Sequence, residues 1–225
     1  MQHSTLAADA RSTKGLAPPR RGFKAPPASR EARKAERLRF LKAFLRKPIT
    51  VGSPCPSSPA LARAMLLDCD LRNAQTVVEL GPGTGAFTRL ILERVGRKTL
   101  FLALELDAAY AKRLREELEG LQVYHDSAEH LARCLARHGR EHVEYIISGL
   151  PWSNMRSQVQ DRILEAVVKS LAPKGVFTTF AYIHAAWLPT AVRFRKRLKQ
   201  HFGSVKTSRI VWRNLPPAYV YRCRL

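Results

Sequence analysis

Short apolar runs alternate along the chain with segments whose apolar residues recur at helical spacing. Val77, Val78 and Leu80 form a run interrupted only by Glu79, and a turn of Gly81-Pro82-Gly83-Thr84-Gly85 follows it. Phe87, Leu90, Ile91 and Val95 then share one helical face, which predicts a helix over residues 86–95. Residues 99–105 predict a second buried strand, and Asp107 is placed to cap a helix running to about residue 119. A third strand is expected at 121–125 and a fourth at 141–147, breaking into Ser148-Gly149-Leu150-Pro151-Trp152. Val159, Ile163, Val167 and Leu171 predict a helix over 158–171, and residues 176–182 a fifth strand. Upstream, Ser58 followed by Pro59 supplies an N-cap and a first-turn proline for a helix over 60–67. Residues 187–202 predict a basic helix, and 205–212 with 218–224 a terminal antiparallel pair around Asn214-Leu215-Pro216-Pro217. Strands alternating with helices predict an α/β fold, a doubly wound and mostly parallel seven-stranded sheet that binds ligands at the carboxyl ends of its strands.

Composition adds an appendage and a partner class. The 225 residues, 45% of them hydrophobic, suit one globular domain over 59–225. Lys and Arg number 39 against 18 Asp and Glu, and the net charge of +21 predicts attraction to polyanions, either nucleic acid or an anionic membrane surface. Residues 1–30, rich in Ala, Arg, Ser and Pro, have too few large apolar side chains to fold and read as a disordered basic arm. Over 31–47, Leu38, Leu41 and Leu45 with Phe40 and Phe44 make an apolar stripe bordered by Arg33, Lys34, Arg37, Arg39, Lys42, Arg46 and Lys47. Such a basic amphipathic helix reads as membrane-surface binding, with RNA binding or docking on its own domain as alternatives. A proline-rich elbow at 54–59 joins it to the domain. Cys55, Cys69, Cys134 and Cys223 show no paired spacing and predict reduced thiols in a cytosolic protein. His138 and His142, four apart without accompanying carboxylates or thiols, read as a solvated face, so no metal is expected. No run approaches 18 apolar residues, so no membrane span is expected.

The glycine turn carries the chemistry. Gly81, Gly83 and Ala86 nominally satisfy G-x-G-x-x-G/A, a weak dinucleotide signal, and a plain strand-to-helix turn would also use glycine. Glu79 followed by alternating Gly81, Gly83 and Gly85 instead looks like the S-adenosylmethionine loop of Rossmann-like methyltransferases. Glu105, twenty residues beyond Gly85 at the second strand's tip, is placed to accept ribose hydroxyls. In methyltransferases of this fold, an acid at the position of Asp126 receives the adenine amino group, with Ser127 or Ala128 adding a backbone contact. Each acid alone could be an ordinary helix cap. Together with the loop they imply S-adenosylmethionine as cofactor.

The segment from Ser148 to Trp152 is similar to the Asn-Leu-Pro-Tyr motif of ribosomal RNA adenine dimethyltransferases, but Ser148-Gly149 stands where those enzymes carry the amide acceptor. Ser-Gly-Leu-Pro at this place resembles bacterial phospholipid N-methyltransferases, and the resemblance extends over residues 38–225. It includes Thr50-Val51-Gly52, Phe180-Ala181-Tyr182 and, most specifically, the run from Val211 to Ala218. Cys55 and the long N-terminal arm depart from that pattern. The resemblance implies stepwise methylation of the phosphatidylethanolamine amine toward phosphatidylcholine, on the inner face of the cytoplasmic membrane, by a monomer attached through residues 31–47. It implies Ser148 and Tyr182 as catalytic residues that position the amine, with Ser148 also among the cofactor-binding residues. Gly149, Leu150, Pro151, Trp152, Tyr182, Trp212, Arg213 and Asn214 would line the substrate site. Trp187 and Tyr219 are further aromatic candidates, and the basic segment 193–199, with Phe194 and Leu198, is a second candidate for membrane contact. RNA adenine methylation and a non-catalytic RNA- or membrane-binding role are the alternatives. The absence of helical sequence after the last strand makes nucleic acid the less expected partner.

Overall fold

The structure, a computed structural model, describes residues 57–118 and 121–225. The expected arm at 1–30 and the amphipathic helix at 31–47 lie outside the described residues. Ser58 caps helix α1 (Pro59–Met65), its side chain accepting the Leu61 N–H at 3.1 Å. Strand β1 (Thr76–Leu80) is buried at all five positions. Both of its faces are covered by helices, which is why its sequence is a continuous apolar run rather than an alternation. Helix α2 (Ala86–Leu92) follows, then β2 (Leu100–Glu105) and α3 (Ala108–Glu117). Asp107 caps α3 as expected, accepting the N–H groups of Ala109 and Tyr110 at 2.8 and 3.0 Å.

Beyond β3 (Gln122–His125), a 3₁₀ turn at Ala128–His130 leads into helix α4 (Leu131–Ala136). The sequence reading placed no helix here, although Leu131, Cys134 and Leu135 stand at the spacing of one helical face and are all fully buried. Strand β4 (Val143–Ser148), helix α5 (Ser157–Ser170), strand β5 (Leu171–Tyr182) and helix α6 (Pro189–His201) complete the alternation. The chain closes with β6 (Ser204–Thr207) and β7 (Ala218–Arg224).

The seven strands lie in the order β3-β2-β1-β4-β5-β7-β6. Strands β1 to β5 are parallel, and β7 runs antiparallel between β5 and β6. Side chains of α1 and α2 pack with Val77, Phe101 and Ile147 on one face. Those of α4, α5 and α6 pack with Val78, Leu102, Ile146 and Phe177 on the other. Order reverses between β1 and β4, so the crevice at their carboxyl ends is the topological switch point.

One expected strand is shorter than its sequence suggests. The reading at 205–212 becomes β6 to Thr207, and Val211 meets Ala218 only through an isolated bridge. Ser208 is the cause. Its N–H donates to Val220 O at 2.9 Å, while its own hydroxyl, in place of a main-chain carbonyl, accepts the Val220 N–H at 3.0 Å. The ladder ends there and the chain leaves the sheet. Among the described residues no helix is long and apolar enough to cross a membrane, and no group of His, Cys, Asp and Glu is placed to hold a metal.

Candidate active site

Four strand ends meet at the switch point: Gly81 after β1, Glu105 on β2, Asp126 after β3 and Ser148 on β4. Main-chain bonds tie them into one edge. Gly81 N–H reaches Leu104 O at 2.8 Å, Gly149 N–H reaches Leu80 O at 2.8 Å, and Asp126 N–H reaches Glu105 O at 3.0 Å. Gly81, Gly83 and Gly85 all adopt positive φ, a region that side chains disfavour. A Cβ on Gly83 would meet nothing within 4 Å, so the outer side of the loop is open. A Cβ on Gly149 would sit 2.6 Å from Gly81 O. The β4 tip therefore passes against the glycine turn, and only glycine fits at 149.

Glu105 stitches this edge. Its carboxylate, on a residue 8% exposed, accepts the N–H of Gly83 at 2.8 Å and that of Asp107 at 2.9 Å. Glu79 lies wholly buried at the end of β1, and neither of its carboxyl oxygens has a hydrogen-bond partner among the described residues. Burial pushes this carboxyl up to about 8. The nearby Thr88 hydroxyl, itself without a partner at hydrogen-bond distance, only partly offsets that, and Glu105 adds to it. Asp126 is held well below the usual carboxylate range by bonds from His130 at 2.7 Å and Arg133 at 2.6 Å, with Ser127 N–H adding a third at 2.8 Å. Both its oxygens are thus engaged, and an adenine amino group would share or displace those partners.

A family model described as ribosomal RNA adenine dimethylase matches residues 57–183. The chain belongs to that family. This dimethylase-family chain is also 32% identical over 188 residues to the ornithine lipid N-methyltransferase of Singulisphaera acidiphila, covering 82% of this chain and 94% of that protein. It is 35% identical over 99 residues to the ribosomal RNA small subunit methyltransferase A of Acidobacterium capsulatum, covering 42% of this chain and 33% of that protein. The fold is that of an O-methyltransferase from Bacillus cereus in complex with SAH, with a TM-score of 0.57 at 13% identity, covering 84% of this chain and 91% of that one. The protein is an S-adenosylmethionine-dependent N-methyltransferase.

The edge of this dimethylase-family chain fits that cofactor. The open face at Gly83 leaves space against the main chain, and the adjoining strand end carries the Glu105 carboxylate, held there by the Gly83 and Asp107 N–H groups that a ribose would share or displace. Leu106, exposed beside Glu105, is an apolar surface that the sequence reading missed, although it lies between the two acids Glu105 and Asp107.

The residues expected on the substrate side separate into two groups. Ser148 is fully buried, and its hydroxyl accepts the indole N–H of Trp152 at 3.2 Å and the Leu150 N–H at 3.4 Å. Trp152 is packed in the core: it also donates to Thr179 Oγ1 at 2.9 Å and stacks on Phe194 with centroids 4.8 Å apart. Asn214 is buried too, accepting Ser58 N–H at 2.9 Å and donating to Pro216 O at 2.7 Å. All three side chains are thus buried with their polar groups engaged by neighbouring residues. Tyr219 shares a hydroxyl contact of 2.9 Å with buried Tyr221. Pro151, Trp212 and Arg213 are exposed, and Gly149, Leu150 and Tyr182 are half-buried.

Tyr182 ends β5, in the strand next to Ser148, whose register partner is Thr179. Its ring meets Phe180 edge-on at 5.4 Å and stacks on His184 at 5.6 Å, and Phe180 in turn meets Phe87 edge-on at 5.9 Å. The sequence reading named Tyr182 but missed this aromatic row and the imidazole that ends it. The only local signal was the closeness of Phe180, Tyr182 and His184 in sequence. Phe87 reaches them from another element.

Proposed function

We propose that the chain methylates the headgroup amine of phosphatidylethanolamine and its methylated intermediates, toward phosphatidylcholine. A lipid amine is supported by the match to an ornithine lipid N-methyltransferase along 94% of that protein, and the choice of phosphatidylethanolamine rests on the resemblance of the stretches 148–151 and 211–218. The β4 tip supports it. Ser148-Gly149 offers no carboxamide to hold a base, and the Ser148 hydroxyl already serves Trp152 and Leu150.

When bound, S-adenosylmethionine supplies an electrophilic methyl group. The Gly81–Gly85 turn, with Glu79 beneath it, and Glu105 would hold the adenosyl portion, and Ser127 and Asp126 would border its base. Leu150 and Pro151 would guide the headgroup past Gly149. A headgroup amine arrives protonated and must lose a proton before its lone pair can attack. Tyr182 orients the amine, and His184, stacked against it, is the group that takes the proton. Phe87 and Phe180 keep water from the reacting pair. Arg213 is available to a lipid phosphodiester at the opening. The basic helix expected at 31–47 would bring the protein to the membrane surface.

Ornithine lipid is the second reading, favoured by the identity of the same relative. The test is incubation of the full chain with labelled S-adenosylmethionine and, in parallel, vesicles of phosphatidylethanolamine, vesicles containing ornithine lipid, and ribosomal RNA. Label in phosphatidylethanolamine is the expected result. Label confined to ornithine lipid moves the assignment to that amine, and label in RNA without label in lipid overturns it.

A further inference from the structure

Two tryptophans stand out on the surface, Trp187 at 78% exposure and Trp212 at 69%. They are distant in sequence but share one end of the sheet. Trp187 lies five residues beyond the carboxyl end of β5, and Trp212 directly follows Val211, which bridges to Ala218 at the start of β7. Tyr182 and Ala218 are register partners, and Ile183 N–H bonds Pro217 O at 2.9 Å. The two loops are therefore joined at their bases, on the sheet end that also carries Ser148 and Tyr182. Leu188, Val192 and Leu215 are exposed around them. Clustered exposed apolar side chains of this size mark an interaction surface.

Charge selects the partner. No Asp or Glu occurs after Glu165, whereas Arg193, Arg195, Lys196, Lys199, Arg209 and Arg213 are all exposed in the same region. Helix α6 shows how the two features combine. Ala191, Phe194 and Leu198 pack inward, so the interleaved Phe194 and Leu198 of the basic segment are core residues, not contacts for a bilayer. Leu188 and Val192, one turn apart, lie outward at the rim beside Trp187, and the cations continue along the helix behind them. Indole rings at a rim backed by cations with long aliphatic stems suit the boundary between acyl chains and anionic headgroups.

We propose that the Trp187–Leu188 and Trp212–Leu215 loops form a shallow insertion surface for an anionic bilayer and set the mouth of the active site against the lipid. This deepens the lipid reading above and rests on it for its purpose, but its test is separate. Because Trp152 is buried and the chain has three tryptophans, the fluorescence of the whole protein reports on the two loops with an internal control.

The full chain is mixed with vesicles of phosphatidylethanolamine and phosphatidylglycerol, with and without bromine on the acyl chains near the headgroup. The emission of the wild type is expected to shift to the blue and to be quenched by the brominated lipid. The Trp187→Ala/Trp212→Ala variant is expected to keep only unquenched Trp152 emission and to need about tenfold more lipid for half-binding. Its melting temperature, within about 2 °C of wild type for two surface changes, shows that the fold is intact. Wild-type protein that binds vesicles without shift or quenching, or that does not bind them, overturns the proposal. So does an emission change on single-stranded RNA with none on vesicles. Intact quenching with no methylated lipid in any assay supports the insertion surface while ending the lipid-substrate reading.

Discussion

Replacing Glu79 by Gln keeps the shape of a fully buried side chain and removes its only ionisation. In the folded chain, burial moves the carboxyl from 4.5 to about 8. In the unfolded chain it ionises near its ordinary value. Between the two, the folded protein holds a proton that the unfolded protein has released, so raising the pH favours unfolding. The stability linked to this group is whole below about pH 4.5 and is lost as pH rises through about 8. An interval of about 3.5 pH units, at ~1.4 kcal/mol each, sets a ceiling of about 5 kcal/mol on that loss. Against the 5–15 kcal/mol typical of a folded domain, that is roughly a third or more of the total, large enough to measure. The assay is urea unfolding of wild type and Glu79→Gln at a series of pH values from 5 to 9, without added cofactor. The two proteins should agree within about 1 kcal/mol at pH 5, because each then buries a neutral group of the same size. Above pH 8 the Gln variant should be the more stable by about 2–5 kcal/mol. Other titrating groups occur in both proteins and cancel in the difference. A gap that does not change with pH, or one that grows in favour of wild type as pH rises, would refute the reasoning.

Four further outcomes concern the edge, its supports and a glycine remote from it. Glu105→Ala frees the N–H groups of Gly83 and Asp107, each now bonded to a carboxylate, and should weaken S-adenosylmethionine binding by about 10- to 150-fold in calorimetry. Gly149→Ala drives a methyl group against Gly81 O and should weaken cofactor binding about tenfold or more. Gly139→Ala, with positive φ but open space around it, should cost about 1–2 kcal/mol of stability and leave cofactor affinity unchanged. Asn214→Ala leaves Ser58 N–H and Pro216 O without their partner, and thermal unfolding should show a loss of about 1–3 kcal/mol, or roughly 3–10 °C.

Much of this protein was written into short stretches of sequence. Five buried positions in a row announced β1, the serine and aspartate caps announced the starts of α1 and α3, and the glycine turn announced the edge that follows β1. Each of these depends on groups within a few residues of one another: a hydroxyl and the N–H three positions on, a φ angle, or an unbroken apolar run. The acids at the tips of β1, β2 and β3 could be placed for the same reason, because each ends a run that had to be a strand. The missed helix α4 was also written locally, as the spacing of Leu131, Cys134 and Leu135, in a short stretch filled out by Ala132, Arg133 and Ala136.

What the tertiary structure alone decided is the surroundings of side chains that composition cannot tell apart. Trp152 and Trp212 both follow a short loop, yet one lies against Phe194 and Thr179 and the other is exposed. Asn214 finds its partner 156 positions away at Ser58, and Ser208 ends β6 because Val220 runs beside it. The aromatic row from Phe87 through Phe180 to Tyr182 and His184 exists only because a side chain of α2 reaches the end of β5. Backbone conformation is set by neighbours in sequence, so pattern and spacing suffice to read it. The burial of a side chain and the partners of its polar atoms are set by whichever distant segments pack against it, and those are chosen only when the sheet assembles.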